Sequence, residues 1–159
     1  MAVATEIMGP RFHGDDGREG NANEMTEAHT FLHPQNWKKP KGFANGIVAE
    51  GRVVFLAGQI GWNADQKFDS TDFVAQTRQA LANIVALVAE AGGGPEHITR
   101  LTWFVIDKKD YLSHLRELGD AYRAVMGKHF PTMTLVQVVA LVEDLAKVEI
   151  EATAVVPHR

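Results

Sequence analysis

The 159-residue chain contains no cysteine, which excludes thiolate nucleophiles, Cys-ligated zinc, iron–sulfur clusters and disulfides together. Serine is almost as scarce. Ser70 and Ser113 stand at a helix cap and within a helical segment, so the strand–turn–helix setting of a nucleophile elbow is missing. Excess basic charge is missing too. Lys plus Arg number 16 against 20 Asp plus Glu, a formal net charge of −4, which offers a phosphate backbone no attractive field and disfavours nucleic acid as a partner. The longest apolar stretch, residues 135–142, is broken by Gln137 and falls far short of the roughly 18 residues a membrane span requires. The first residues carry neither a basic n-region nor an apolar h-region, so no signal peptide is expected and a cytoplasmic location is the default.

What is present suffices for one domain. The apolar fraction is 45%, and a chain of this size buries roughly two thirds of its unfolded surface without a disulfide or metal to staple it. Residues 9–23, with Gly14, Gly17, Gly20 and almost nothing apolar, bury too little to offset their ordering entropy. A flexible extension over 1–24 and a domain over 25–159 are therefore expected.

Pro34 and Pro40-Lys-Gly42 read as an extended entry loop. Residues 47–50 and 52–57 flank Gly51 and predict two short strands joined as a hairpin. Ser70 or Thr71 offers an N-cap, and Phe73, Thr77, Leu81, Ile84, Val85 and Val88 recur at helical spacing until Gly92-Gly-Gly-Pro95 stops the run. Residues 101–106 are apolar on both faces and predict an interior strand. Asp107 or Asp110 caps a second helix whose buried stripe holds Leu112, Leu115, Leu118 and Tyr122, and Gly127 ends it. Residues 132–141 and 146–155 predict two final strands, the last with Val148, Ile150, Ala152 and Ala154 inward and Lys147, Glu149, Glu151 and Thr153 outward. The order β-β-α-β-α-β-β is that of an α+β fold. Two helices cover one face of such a sheet, so the other face is solvated or buried against another chain.

Gly92-Gly-Gly94 follows a helix instead of a strand and reads as a helix end, not a phosphate loop. His29 and His33 are four apart, but Pro34 beside them makes a solvated pair the better reading than a metal site, and His97, His114 and His129 read as surface residues. Chemistry then concentrates at strand ends: Gly58-Gln59-Ile60-Gly61-Trp62, Trp103, Pro131-Thr-Met-Thr134, Glu149 and Glu151. A carboxylate on a strand facing a subunit cleft, buried beside tryptophan, is a candidate general acid or base. Its structural alternative is a solvated strand face paired with Lys147.

From about residue 41 to 156 the chain resembles the RidA/YjgF family of small homotrimers, known as enamine and imine deaminases and under older endoribonuclease and translation-inhibitor labels. The resemblance lies in Gly51-Arg-Val-Val-Phe-Leu-Ala-Gly-Gln59, Phe73-Val-Ala-Gln-Thr-Arg-Gln-Ala-Leu-Ala-Asn83, Ile98-Thr-Arg-Leu-Thr-Trp-Phe-Val105, Phe130-Pro131 and Val148-Glu-Ile-Glu-Ala152. It implies a chorismate-mutase-like mixed sheet with two helices packed on one face, and three clefts between subunits, each holding a small-molecule ligand with neither metal nor cofactor. In the family's active deaminases an Arg follows Pro-x at the start of the fourth strand and holds the substrate carboxylate as a bidentate pair. The matching position is Met133. The family's Tyr corresponds to Phe43, its helical Asn to Gly119, and a Cys of some members to Leu135, whereas Gly58 and Gln59 persist and Glu149 matches the family's water-positioning Glu. Trp62, Trp103 and Thr134 complete the implied binding surface.

Two functions follow. The first is hydrolytic deamination of small enamines or imines, with water held by Glu149, an apolar substrate selected by Met133, Phe43, Trp62 and Trp103, and Arg100 or another cation replacing the missing arginine. The alternative is a non-catalytic trimer that binds a small metabolite or a protein partner. The ribonuclease label is opposed by the acidic balance.

Overall fold

Nine residues that alternate between apolar and polar side chains, Val148–Val156, form the strand around which the main sheet is laid. The computed structural model describes residues 28–158. Along the chain run β1 (Thr30–Leu32), β2 (Gly46–Val48), β3 (Arg52–Ile60), α1 (Phe73–Glu90), a short 3-10 turn (Pro95–His97), β4 (Ile98–Val105), α2 (Lys108–Ser113), α3 (Leu115–Met126), β5 (Thr132–Gln137) and β6 (Val148–Val156). The main sheet has the order β3-β6-β4-β5. Its central β6 runs antiparallel to β3 and β4, while β4 and β5 are parallel. This is the expected α+β architecture with a mixed sheet. The expected boundary between residues 24 and 25 lies outside the described residues.

Inward side chains of β4 and β6 meet the helices. Leu101, Trp103, Val105, Val148 and Ile150 pack with Leu81, Ile84 and Val88 of α1 and with Leu118, Tyr122 and Met126 of α3 in one core. Each such burial contributes roughly 1.5–3 kcal/mol. Among the described residues no helix covers the opposite sheet face. Cross-strand register gives it the rows Glu149–Phe104–Val136, Glu151–Thr102–Thr134 and Thr153–Arg100–Thr132, extended onto β3 by Phe55 opposite Thr153. Val53 and Phe55 are 54% and 82% exposed there.

Several local expectations give way. Residues 47–50 and 52–57 do not pair as a hairpin. β2 instead pairs antiparallel with β1 in a separate two-stranded sheet, and β3 pairs with β6 from its first residue, Arg52 opposite Val156. Gly51 redirects the chain at φ 147°, where a side chain would overlap the Val156 carbonyl. β1 lies ahead of the expected entry loop and is not foreseen, because three residues carry too little pattern to mark a strand. β5 ends at Gln137, and the apolar residues beyond it form a loop in which Val139 and Val142 are fully or almost fully exposed.

The cap of α1 is Asp72, not Ser70 or Thr71. Its extended backbone lets the carboxylate accept from Ala75 N–H at 2.7 Å, while Ser70 Oγ accepts from Asp72 N–H at 3.0 Å. Asp72→Ala should lower stability by about 1 kcal/mol, measured as a shift in urea midpoint at unchanged m-value. The second predicted helix breaks at His114, with Asp107 capping α2. Ser113 Oγ donates to the Asp110 carbonyl at 2.9 Å and His114 Nδ1 lies 2.9 Å from the same oxygen, bonds that compete with a continuous helix. That carbonyl, together with the Asp110 carboxylate, raises the His114 pKa.

Candidate functional site

Between Leu56 and Gln59 the β3–β6 register slips. Such a bulge re-aims side chains, and here Gln59 Nε2 donates to the carbonyls of Ala57 and Gly58 at 3.2 and 3.3 Å. Across the slip stands Glu149, whose carboxylate occupies the space over Gly58: any Cβ at position 58 would overlap Glu149 Oε1. Gly58 is thus the residue that lets the carboxylate lie against β3. No ion pair among the described residues engages Glu149, Lys147 included. The result is a half-buried carboxylate on the helix-free face, flanked by Phe104.

Trp62 follows this group at the end of β3. Its carbonyl, and that of Ile60, accept from Asn83 Nδ2 at 3.0 and 3.3 Å, so α1 pins the strand end. Gly61 brings the two elements together, since a Cβ there would sit 2.5 Å from Gln76 Cβ. Gly58, Gln59 and Glu149 therefore form one group on the β3/β6 side of the sheet, with Trp62 just beyond the end of β3.

Phe43, Met133 and Thr134 lie on or beside β5, the last two on its opposite faces. Ala44 bridges to Thr132 and its N–H donates to the Pro131 carbonyl at 3.0 Å, which sets Phe43 beside the start of β5. Met133 is opposite Leu101 and packs against the core, whereas Thr134 is opposite Thr102 on the other face. Two strand spacings, about 10 Å, separate β5 from β6. Met133 and Glu149 also belong to opposite faces, so one chain does not bring them together.

Three further residues occupy other parts of the fold. Trp103 does not flank Glu149. It is 2% exposed, opposite Ile150 and Leu135 within the core, and its Nε1–H finds no hydrogen-bond acceptor among the described residues. Gly119 is buried in α3, in the helical layer. Arg100 is on the helix-free face, where its guanidinium donates to Thr153 Oγ1 at 3.2 Å.

The histidines also differ from their reading as surface groups. His33 is exposed and bonded to Asn45 Nδ2 at 3.0 Å, but His29 is 5% exposed, with its Nε2 3.2 Å from the His97 carbonyl. His129 Nε2 is 2.7 Å from the Ile98 carbonyl, and burial lowers its pKa. Nothing local in the sequence marks this, because His29 and His97 are 68 residues apart. No group of three or more His, Asp or Glu among the described residues has the geometry to hold a metal, and no described helix is long and apolar enough to cross a membrane.

A family model described as endoribonuclease L-PSP matches residues 37–156. A RutC family protein of Pasteurella multocida is 34% identical over 124 residues, 78% of this chain and 95% of its own. The 2-iminobutanoate/2-iminopropanoate deaminase of Escherichia coli is 35% identical over 108 residues, 66% of this chain and 80% of its own. Among solved structures, a Rid-family protein from Yersinia pestis has a TM-score of 0.72 at 28% identity, covering 81% of this chain and 99% of its own.

Proposed function

Since the chain belongs to the RidA/YjgF family, whose model carries the endoribonuclease L-PSP description, we propose that it is a hydrolytic deaminase of small enamines or imines with an apolar site. In the proposed reaction Glu149 accepts a proton from a water whose oxygen adds to the imine carbon, and the C=N electron pair moves to nitrogen. The proton passes to that nitrogen to give a carbinolamine; its hydroxyl then gives up its proton, by way of Glu149, to the same nitrogen as the C–N bond breaks, the O–H electron pair forms the carbonyl and ammonia leaves. Atoms balance with water alone as co-reactant. The observation that carries this reading is the half-buried Glu149 carboxylate, lodged over Gly58 without an ion-pair partner among the described residues.

A complete site needs a second copy of the chain. One group holds the carboxylate, whereas Phe43, Met133 and Thr134 lie on or beside β5, on another part of the sheet. Clefts between subunits of a homotrimer, as the family resemblance implies, would join one copy's β5 residues to its neighbour's β3/β6 group. Met133 and Phe43 would then meet the substrate where other members place polar groups, favouring alkyl or aryl imines over 2-aminoacrylate.

The test is ammonia release from imines generated enzymatically, for wild type and Met133→Arg. Wild type should hydrolyse imines with apolar substituents faster than 2-aminoacrylate. Met133→Arg should gain roughly 10- to 100-fold on 2-aminoacrylate, the worth of a charge-assisted carboxylate contact. If neither protein exceeds the buffer rate on any imine, deamination fails. The non-catalytic ligand-binding trimer, which Met133 at the family's arginine position favours, then stands.

A further inference from the structure

We propose that Lys41, with Lys38 and Lys39 ahead of it, forms an anion-binding rim beside Phe43, and that the preferred substrates are apolar imines bearing a carboxylate at the end remote from the C=N bond. This deepens the deaminase reading and rests on it for the reaction, though not for the binding. Methionine at 133 then marks a relocation of positive charge, not its loss.

The three lysines are exposed and belong to the stretch of chain that delivers Phe43. That stretch is tied down on both sides. Trp37 N–H donates to the Pro34 carbonyl at 2.9 Å, and Ala44 N–H donates to the Pro131 carbonyl at 3.0 Å. Between these bonds Pro40 fixes its own φ, and Gly42 turns the chain at φ 79°, a left-handed conformation that favours glycine. Lys41 is two residues from Phe43, so their Cα atoms are at most about 7 Å apart. The flexible four-carbon stem of a lysine covers most of such a distance. Lys39 and Lys38 are at most about 7 and 11 Å from Lys41 along the chain, close to one Debye length at about 0.1 M salt, so the three ammonium groups act as one field.

Charge is divided between the two halves of the proposed site. Residues 28–49 and 128–142, the segments that meet at Phe43 and Met133, contain Lys38, Lys39, Lys41 and Lys128 and neither Asp nor Glu, in a chain whose formal charge is −4. No ion pair among the described residues engages any of these lysines. The other half presents the Glu149 carboxylate over Gly58.

This division places the substrate's own charge. A carboxylate attached directly to the imine carbon would stand near Glu149 as water adds, with no arginine at 133 to neutralise it, and like charges at that range repel. Set back by an aryl ring or a short alkyl chain, the same group reaches the lysines while Met133 and Phe43 cover the apolar spacer. Lysine suits that task, because a point charge holds a carboxylate without the single orientation that the arginine fork demands.

The test compares the imines of acetophenone and of 4-acetylbenzoate, generated enzymatically, and the binding of the two ketones themselves by calorimetry. At about 0.05 M salt, wild-type kcat/KM should favour the carboxylated imine by roughly 5- to 20-fold through KM, and 4-acetylbenzoate should bind tighter than acetophenone by a similar factor. Lys41→Gln should remove up to about five-fold of this preference, the worth of one exposed ion pair. The triple variant Lys38→Gln/Lys39→Gln/Lys41→Gln should abolish it, as should about 0.5 M salt in wild type, whereas Lys108→Gln on α2 should leave it intact. Hydrolysis of both imines without preference, or a preference that survives in the triple variant, overturns the rim and leaves deamination standing. Equal binding of the two ketones overturns the rim whatever the rates. Lysine-dependent binding of 4-acetylbenzoate with no hydrolysis of either imine supports the rim and counts against deamination instead.

Discussion

Glu149→Gln should lower imine hydrolysis by roughly 10²–10⁴-fold while leaving the thermal midpoint nearly unchanged, the range a positioned general base supplies. The amide is isosteric and fits over Gly58 as the carboxylate does, but it does not take a proton from water. A structural role for Glu149 would instead show as lost stability with residual activity in proportion to folded protein. Gly58→Ala separates position from identity. Its Cβ would overlap the carboxylate, and the end of a glutamate side chain can swing aside at little cost, so stability should hold while the rate falls about 10²-fold, as misplacement of a catalytic group by about 1 Å can do. Retention of full rate in both variants would remove Glu149 from the chemistry and leave the ligand-binding reading.

Gln76→Ala should be the most destabilising of the substitutions considered, by about 2–4 kcal/mol. Gln76 is 1% exposed. Its Nε2 donates to the carbonyls of Ser70 and Leu145 at 3.0 and 2.9 Å, and its Oε1 accepts from Lys147 N–H at 2.8 Å. One amide thus ties α1 to its own approach and to the end of the loop leading into β6. Alanine leaves these backbone groups without partners and a void beside Gly61. Gln76→Glu is the informative companion, because a carboxylate still accepts from Lys147 but donates to neither carbonyl, and it should recover only part of the loss. The measurement is the urea midpoint of both variants, with a drop below about 1 kcal/mol for alanine counting against the peg.

α1 and β6 were legible because their periodicities of 3.6 and 2 run through 18 and 9 residues, long enough for pattern to outweigh accident. The hairpin misread has the opposite cause. Gly51 is a genuine turn, but a turn says nothing about which strand its neighbours will choose, and β3 finds its partner in β6, about a hundred residues on. The same holds for the histidines, whose burial depends on contacts between β1 and the 3-10 turn. In the candidate site Gly58 and Glu149 were each visible through the family pattern. Their approach depends on the register slip after Leu56, which no local signal announces. Trp103 shares the parity of Leu101 and Val105, but in a strand apolar on both faces that parity does not say which face the helices cover, so its burial in the core was not legible.

β3 has a bearing on how the protein must be made. It is an edge strand of the main sheet, and its outward face carries Val53 and Phe55 with neither lysine nor proline between them. Natural edges are commonly blunted by such residues because an unguarded one is a template for sheet extension. A chain newly released from the ribosome therefore exposes an adhesive margin until something covers it. The interval before coverage, more than the folding of the core, sets the risk of aggregation during expression, so slower synthesis or a lower growth temperature should improve soluble yield more than any change to the buried residues.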